Sequence, residues 1–353
     1  MSRASLFALA CGGCLLPEPE PALETLSQAA LMDDGCPPKE CGTNSTAIDG
    51  VYFYEVNRNG LVNSEGVSII GYQGLPAGAV RLDARKNELV ARDAFDNVVA
   101  SGPSLIGSGF TLDVNGTVHL LRIIDFHRSL RYHAFDDGTA LMSYTFAYPV
   151  VTPMGTTWKP LCTVEDLADG AASLDALVFE GDRYDPVTRK VTTGAVTKGW
   201  FNLACLGGGP AKNHRMRATT ASSDPLNGIT TPLSQRQALF NVWSANYCGD
   251  GKPFTVPGEP LRIRDRAKGI PLTSGWSWED EAQLDSHEAL WGPDGAICLD
   301  TPRREDSAPG FRTLIADHCK SVGHELPYCS ELDGAPPTWL PGSTYWTANP
   351  IGS

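Results

Sequence analysis

The sequence predicts an α+β protein, in which an N-terminal antiparallel β-domain is followed by a disulfide-cross-linked mixed α+β domain. Short runs rich in β-branched and aromatic residues, separated by Asn, Asp and Gly, fill residues 46–157. Residues 158–335 mix strand-like runs with a helix signal and contain six of the ten cysteines. The 353 residues suffice for two domains, and 42% hydrophobic against 20% charged content is typical of folded globular proteins.

The charge balance excludes one class of partner. Asp and Glu number 41 against 28 Lys and Arg, which gives a formal net charge of -13. The chain therefore has no overall attraction to phosphate backbones, and nucleic acid is not an expected partner. No apolar run approaches the roughly 20 residues that a membrane-spanning helix needs.

Residues 1–14 are typical of a lipoprotein signal segment. A basic residue precedes the apolar run at 4–10, which ends at Cys11, and this order resembles the lipobox at which bacterial lipoproteins are cleaved and acylated. Ala8 stands where that pattern prefers Leu, and Cys14 is a poorer alternative to Cys11. We expect export with lipidation at Cys11; an ordinary cytosolic N-terminus is the alternative.

Both ends of the chain outside the two domains are expected to lack packed structure. Residues 15–45 are rich in proline and glutamate, a composition that favours extended, solvated chain. This segment is interpreted as a tether. Residues 336–353 are expected to form a C-terminal tail.

Three segments of the first domain alternate apolar and polar residues with the period of a strand, at 80–85, 110–114 and 144–148. Asn115 and Gly116 follow the second of them, and Asn-Gly is the strongest local signal for a tight hairpin turn. A second turn of the same kind is expected at 136–138. The region is therefore predicted to be antiparallel.

The second half combines strands with helices. Residues 174–180 and 199–205 are predicted strands. Thr231 before Pro232 is a helix-start signal, and the amphipathic pattern at 233–247 predicts a helix that ends at Gly249. A shorter helix is predicted at 311–319.

Eight cysteines remain as disulfide candidates when Cys11 and Cys14 are set aside. They are Cys36, Cys41, Cys162, Cys205, Cys248, Cys298, Cys319 and Cys329. An even number in an exported chain predicts up to four disulfides, although spacing cannot choose among the pairings. Cys36 is near enough in sequence to pair with Cys41, and Cys319 with Cys329. The other four would then pair with one another.

Zinc binding is the less favoured interpretation of these thiols. No Cys-x-x-Cys pair occurs in the mature region, and the histidines are scattered. His318 and Cys319 are adjacent, with His324 and Cys329 nearby, so this segment is the place where a zinc site is conceivable. We predict neither a metal nor a cofactor.

Four blocks in the second half occur in a recognisable order. They read FEGDRYD at 179–185, WFNLAC at 200–205, ANYCGDG at 245–251, and EALW followed by DGAICL within 288–299. In this order they resemble the bacterial ADYC-domain proteins, over about residues 156–330. The family takes its name from Ala-Asp-Tyr-Cys, and this chain has Asn246 in place of the aspartate. The resemblance implies an exported protein and supplies no catalytic residue.

Cys248 has two interpretations. It follows a predicted helix and precedes Gly249, where a cysteine can cross-link the helix to a neighbouring strand. Alternatively it is a nucleophilic thiol assisted by a base such as His287 or His214. An oxidising compartment and an even cysteine count favour the disulfide.

Glu180 and Asp182 lie two residues apart near the end of a predicted strand, so both carboxylates would project from one face. Paired carboxylates can divide acid and base roles in hydrolysis. A charged turn with an internal ion pair to Arg183 is the preferred interpretation. If the chain is an enzyme, the candidate catalytic residues are Glu180, Asp182, His214 and Cys248.

Two other motifs have structural interpretations. The glycine-rich segment 206–212 lacks the spacing of a phosphate-binding loop, so a flexible β-turn is expected. Trp276 and Trp278 would share one face of an extended segment, as in a sugar-binding platform, but core or edge packing is favoured.

These observations together predict an exported, lipid-anchored protein that acts as a non-catalytic extracytoplasmic binding or structural module. Its partner would be an extracellular ligand or protein, and it would touch the membrane only through the lipid anchor. The alternative is an extracellular hydrolase whose acidic or Cys/His site is assembled from distant residues. A surface without a pocket and with Cys205, Cys248 and Cys298 all bridged would favour the module. A pocket that gathers Glu180, Asp182 or a free Cys248 thiol beside a histidine would favour the enzyme.

Overall fold

The computed structural model describes residues 46–131, 140–163, 165–166, 172–220, 231–256, 261–265, 286–306, 308–332 and 345–349. Several predicted features lie outside these residues: the signal segment with Cys11, the tether with Cys36 and Cys41, the turn at 136–138, and Trp276 with Trp278. Among the described residues, no helix has the length and apolar character needed to cross a bilayer.

The described chain is rich in strands. In chain order they are β1 (Thr46–Ile48), β2 (Val51–Phe53), β3 (Glu55–Asn57), β4 (Val67–Gln73), β5 (Arg81–Arg85), β6 (Glu88–Arg92), β7 (Val98–Ser101), β8 (Gly109–Val114), β9 (Thr117–Arg131), β10 (Ala140–Thr152), β11 (Gly155–Pro160), β12 (Glu165–Asp166), β13 (Ala172–Ser173), β14 (Asp175–Glu180), β15 (Arg183–Tyr184), β16 (Val191–Thr192), β17 (Trp200–Cys205), β18 (Arg262–Asp265), β19 (Ser286–Gly292), β20 (Gly295–Leu299) and β21 (Tyr345–Asn349). The α-helices are α1 (Gly209–Arg215), α2 (Leu233–Ser244) and α3 (Phe311–Ser321), and short 3-10 helices cover Gly102–Leu105, Gly194–Thr197 and Cys329–Glu331.

An eight-stranded antiparallel sheet organises the fold. Its strands follow the order β3-β17-β14-β10-β9-β8-β4, and β11 pairs with β10. The predicted Asn-Gly hairpin is confirmed: Asn115 and Gly116 both have positive φ, 51° and 84°, and connect β8 to β9. The segments predicted as strands at 80–85, 110–114, 144–148, 174–180 and 199–205 all lie within observed strands, give or take one residue at an end.

One face of this sheet packs against small neighbouring sheets. Phe110, Phe146 and Phe201 lie in the same buried cluster as Leu82 and Leu89 of the β5-β6-β7 sheet. All five are at most 2% exposed. Since a fully buried Leu or Phe side chain contributes roughly 1.5–3 kcal/mol, this layer is a principal source of stability.

The opposite face of the sheet packs against the first two helices. Leu177 and Phe179 of β14 share a buried cluster with Ala211 of α1 and Phe240 of α2. A Cβ on Gly209 would come within 2.6 Å of the Phe240 ring, so the glycine lets α1 approach α2 closely.

A second core lies under a four-stranded sheet of order β18-β21-β19-β20. Leu239 and Val242 of α2 pack there with Trp291 of β19, Ile315 of α3 and Tyr345 of β21. β21 falls in the segment expected to be a C-terminal tail, yet it pairs with both β18 and β19.

The domain boundary expected between residues 157 and 158 is not confirmed. β14 and β17 belong to the second expected domain, but they complete the sheet that begins with β3 and β4. Strands pair through backbone hydrogen bonds whatever their separation along the chain, so local composition does not mark where a sheet ends.

Two helix predictions need correction. The turn expected in the glycine-rich segment is present at residues 206–208, where the backbone N–H of Gly208 donates to the carbonyl of Cys205 at 2.8 Å, but from Gly209 the segment continues as α1, with Pro210 in its first turn. The helix predicted at 233–247 ends at Ser244, and Pro232 instead of Thr231 occupies its N-cap position. The Thr231 hydroxyl donates to the carbonyl of Arg217. The short helix predicted at 311–319 is confirmed as α3.

Candidate functional site

Three disulfides cross-link the described chain. They join Cys162 to Cys205, Cys248 to Cys319, and Cys298 to Cys329. The predicted pairing of Cys319 with Cys329 is wrong. Cys319 faces the second core from α3 and meets Cys248 there, whereas Cys329 lies beyond the end of that helix, in a smaller cluster with Cys298 of β20.

The family segment Ala245–Cys248 forms the turn that follows α2. Ala245 has φ 47°, and the backbone N–H of Asn246 donates to the carbonyl of Asn241 at 2.9 Å, which closes the helix end. Gly249 and Gly295 then bring this turn against the β19–β20 hairpin. The backbone N–H of Ala296 donates to the carbonyl of Tyr247 at 2.8 Å.

Tyr247 anchors the turn through a buried ionic cluster. Its hydroxyl donates to Oε1 of Glu288 at 2.5 Å, and the Arg303 guanidinium donates to both oxygens of the same carboxylate. Glu288 is fully buried. Burial, together with the Glu288 charge, holds the pKa of the Tyr247 hydroxyl well above its usual value, so the phenol stays protonated and donates. The cluster is internally satisfied, which fits a structural role.

Asn246, the departure from the family name, is held by an amide network. Its Nδ2 donates to Oδ1 of Asn241 at 3.1 Å, and its Oδ1 accepts from the backbone N–H of Gly251 at 3.0 Å. Asn241 Oδ1 also accepts from Gln237, while its own Nδ2 donates to the carbonyl of Pro293 at 3.0 Å. An aspartate at 246 would set a carboxylate against the Asn241 oxygen, so this network requires the amide.

The Cys248–Cys319 disulfide has two polar neighbours. Nε2 of His318 lies 2.7 Å from Oδ2 of Asp250. The ligand atoms of Asp250, His318 and Cys248 all lie within 4.8 Å of one another. His318 immediately precedes Cys319 on α3, so helix and turn together set this arrangement.

The candidate catalytic residues have separate structural partners. Cys248 is disulfide-bonded and 6% exposed, which removes it as a nucleophile in this state. Glu180 accepts from the backbone N–H of Lys86 at 3.1 Å, and burial raises the pKa of its carboxyl. His214 is buried and stacks on Phe179 at 4.3 Å between ring centroids.

Asp182 does not share a strand face with Glu180. β14 ends at Glu180, and Gly181 with φ 118° turns the chain before Asp182. The internal ion pair predicted with Arg183 is wrong. Asp182 instead forms a buried ion pair with Arg236 of α2. Arg183 pairs with Glu55 at 2.6 Å, because the turn directs neighbouring side chains to different elements.

A polar cluster that the sequence analysis missed lies on the helix-covered face of the large sheet. The Asp175 carboxylate accepts from the hydroxyls of Ser143 and Thr145, each at 2.5 Å, and lies 2.8 Å from Nδ1 of His127. The Asp175 side chain is 4% exposed, whereas that of His127 is 45% exposed. The histidine is therefore oriented from below by a buried carboxylate and presented to solvent.

The arrangement determines which ring nitrogen of His127 faces outward. With Nδ1 donating to Asp175, Nε2 points away from the carboxylate, and Oδ2 of Asp125 lies 3.5 Å from it. A histidine oriented in this way can accept a proton or bind a ligand. The sequence contained one signal for this cluster, namely polar residues at alternate positions of otherwise apolar strands. That signal could not identify the cluster, because the pairing of β9, β10 and β14 was not known from the sequence.

The fold and the turn define a β-rich protein cross-linked by buried disulfides around a satisfied ionic cluster. A family model described as the ADYC domain matches residues 102–305, more than half of the chain. The chain therefore belongs to the ADYC domain family, as its motif blocks predicted. The match includes Cys248 and Cys298, whereas their partners Cys319 and Cys329 follow it. Comparisons with curated proteins and with solved structures gave no match.

Proposed function

We propose that this protein acts outside the cytosol as a lipid-anchored binding or structural module that the three disulfides hold in shape, and that Cys248 takes no part in catalysis. The observation that carries the proposal is the pairing of Cys205, Cys248 and Cys298, each with a different partner. Disulfides persist in oxidising compartments and are rare in the cytosol.

Burial of the cross-links supports a structural use of the sulfur. All six bridged cysteines are at most 6% exposed. Catalytic or redox-sensing cysteines need exposure and a thiolate, which these positions do not offer while bridged. The buried ion pairs Glu288–Arg303 and Asp182–Arg236 are likewise internal to the fold.

Mass spectrometry of protein purified from its native cell envelope tests the proposal. We expect a mature N-terminus at Cys11 carrying lipid, together with the three cystine pairs in unreduced material. A Cys11→Ser variant should lose the lipid and leave the membrane fraction, while its cystine pairs stay intact. An intact Met1 with all thiols free would overturn the proposal.

A hydrolase is the second candidate, favoured by one observation. His127 and Asp175, 48 positions apart in the sequence, have the histidine–carboxylate arrangement that many hydrolases use as a general base, which supports this candidate. In such an enzyme Nε2 of His127 would take the proton from an attacking water, and Asp175 would stabilise the imidazolium. This assignment replaces Glu180, Asp182, His214 and Cys248 as the candidate residues.

Hydrolysis of activated ester and glycoside substrates tests this candidate. His127→Gln should abolish any turnover, and Asp175→Asn should reduce it strongly. His119→Gln is the matched control, since His119 lies on the same strand beside Asp49. Turnover that survives His127→Gln would exclude His127 as the catalytic base, and complete absence of turnover from the wild type would exclude the hydrolase.

A further inference from the structure

The polar group beside the Cys248–Cys319 disulfide has the composition of a metal site. Cys248, Asp250 and His318 offer a sulfur, a carboxylate oxygen and an imidazole nitrogen, all within 4.8 Å of one another. Among the residues that the structure describes, this is the group of at least three His, Cys, Asp or Glu side chains whose ligand atoms lie close enough together to hold a metal ion. Cys319 adds a second sulfur, because it is bonded to Cys248.

The spacing suits a tetrahedral divalent ion. Zinc bonds of about 2.0–2.3 Å place neighbouring ligand atoms roughly 3.3–3.8 Å apart. The existing separations are 2.7 Å between His318 Nε2 and Asp250 Oδ2 and at most 4.8 Å to the Cys248 sulfur. Shifts of about 1 Å or less, within the range of side-chain rotation, would therefore bring the ligand atoms of Cys248, Asp250 and His318 to this spacing. Once the bond between the sulfurs is broken, the Cys319 sulfur must also move away from the Cys248 sulfur, to roughly 3.8 Å, to occupy the fourth position.

Outer contacts already orient two of the ligands. The backbone N–H of Lys252 donates to Oδ1 of Asp250 at 3.0 Å, which leaves Oδ2 directed at His318. The His318 ring packs against Phe254 at 5.5 Å between centroids. Such supporting contacts are what metal sites use to fix their ligands.

The site also has an entry path. The sulfur side is buried, with Cys248 6% and Cys319 0% exposed, whereas the Asp250 and His318 side chains are 25% and 24% exposed. An ion can therefore arrive from solvent on the Asp250 and His318 side and meet the sulfurs beneath.

We propose that reduction of the Cys248–Cys319 disulfide converts this position into a zinc site with the ligands Cys248, Cys319, His318 and Asp250. A dithiol supplies the two electrons and two protons that convert the disulfide into two thiols and becomes a disulfide itself; a phosphine supplies the two electrons, and one water molecule supplies the oxygen of the resulting phosphine oxide and the two thiol protons. Binding of the ion then releases one proton from each cysteine thiol. The ion and the disulfide exclude each other, since both use the same two sulfurs.

This proposal does not rest on the proposed function. In this proposal the same two elements, helix α3 and the turn that follows α2, are joined by a disulfide when Cys248 is oxidised and by a metal ion when it is reduced. The other disulfides, Cys162–Cys205 and Cys298–Cys329, are internal controls, because no comparable group of ligands surrounds them among the described residues.

Cobalt titration of the full-length protein tests the proposal. Protein reduced with a phosphine should bind one equivalent of Co²⁺ and develop the thiolate charge-transfer and visible bands of a tetrahedral site. Zn²⁺ should remove these bands, and unreduced protein should not develop them. A Cys162→Ser/Cys205→Ser variant and a Cys298→Ser/Cys329→Ser variant should behave as the wild type does.

Variants of the ligands separate a built site from loose thiol binding. Cys248→Ser/Cys319→Ser should abolish the bands. His318→Gln and Asp250→Asn should each weaken Co²⁺ binding at least about tenfold, the loss typical even of residues that only orient a ligand. Unchanged affinity in both of these variants would overturn the proposal. Loss of the near-ultraviolet circular dichroism on reduction would also overturn it, because the site needs the folded turn and helix.

Discussion

The Tyr247 hydroxyl and the Glu288 carboxylate form a hydrogen bond of 2.5 Å that joins the family turn to β19. Both residues are fully buried, and Arg303 balances the carboxylate charge. The turn also carries Cys248. The Tyr247 hydrogen bond therefore connects this turn, residues 245–248, to β19, and the Cys248 disulfide connects it to α3. Much of the second core depends on the position of this turn.

Removing the Tyr247 hydroxyl should destabilise the protein moderately. Tyr247→Phe deletes one hydrogen bond to a charged group, and we expect a loss of about 1–3 kcal/mol in the free energy of unfolding. Glu288→Gln should be worse, about 3–5 kcal/mol, because it leaves the Arg303 charge buried without its partner. Urea denaturation under oxidising conditions measures both, and a smaller loss for Glu288→Gln than for Tyr247→Phe would contradict this account.

Loss of the disulfide at the turn should cost more than loss of a shorter one. The Cys248–Cys319 bridge closes 71 residues and the Cys298–Cys329 bridge 31. Loop-closure entropy predicts that Cys248→Ser/Cys319→Ser lowers the free energy of unfolding by about 4 kcal/mol, roughly 0.7 kcal/mol more than the matching double variant at the shorter bridge. Parallel denaturant titrations of the two variants test the order, which the reverse ranking would refute.

Two glycines with similar backbone angles should respond differently to alanine. Gly249 has φ +70° and an added Cβ would lie 1.9 Å from the carbonyl oxygen of Asp294, whereas Gly310 has φ +86° and open space. Gly310→Ala should cost only the left-handed backbone strain of about 1–2 kcal/mol. Gly249→Ala should cost about 4 kcal/mol or more, because backbone must also move. Equal decreases in melting temperature for the two variants would show that the contact between residue 249 and the Asp294 carbonyl does not affect stability.

The stability of the wild type should fall as the pH rises past the usual pKa of Glu180. Burial raises the pKa of this carboxyl above 4.5, so the folded chain holds its proton more tightly than the unfolded chain does. The contribution is complete below about pH 4.5 and disappears as pH rises through the folded pKa. Glu180→Gln should make this slope shallower in urea titrations, while the raised pKa values of the Glu55 and Asp182 carboxyls leave a slope of the same sign.

Asp93 supplies the opposite sign as a control. A hydrogen bond from Asn97 lowers the pKa of this exposed carboxyl, so its contribution is present above the usual value of 3.8 and is lost in more acidic solution. Asp93→Asn should therefore leave the slope above pH 4.5 unchanged. A slope in that range that Glu180→Gln leaves unchanged would contradict the raised pKa of the half-buried Glu180 carboxyl.

Local sequence patterns predicted the elements that local forces form. The Asn115–Gly116 turn needs two residues that tolerate positive φ, and the alternation in β8 and β10 needs only two neighbouring faces of different polarity. The helix after Pro232 was found for the same reason. None of these features depends on a distant partner.

Partners far apart in the chain were not predictable in this way. Cys248 is 71 residues from Cys319, and Asp182 reaches Arg236 across 54 residues. The predicted pairs of cysteines and of charges assumed that residues close in sequence are close in space. That assumption failed at α3, which directs Cys319 away from Cys329, and at the Gly181 turn, which directs Asp182 away from Arg183. His127 and Asp175 were missed because neither has a motif of its own.

The amino-acid sequence by itself therefore determined the family, the strand-rich character and the cysteines available for oxidation. The tertiary structure decided which cysteines meet, which carboxylates are neutralised in the interior, and that His127 alone among the discussed histidines is both oriented by a buried acid and open to solvent. The physical reason is that propensity and alternation act over a few residues, whereas these pairings arise because the large sheet and the helices of the described residues bring distant segments into contact.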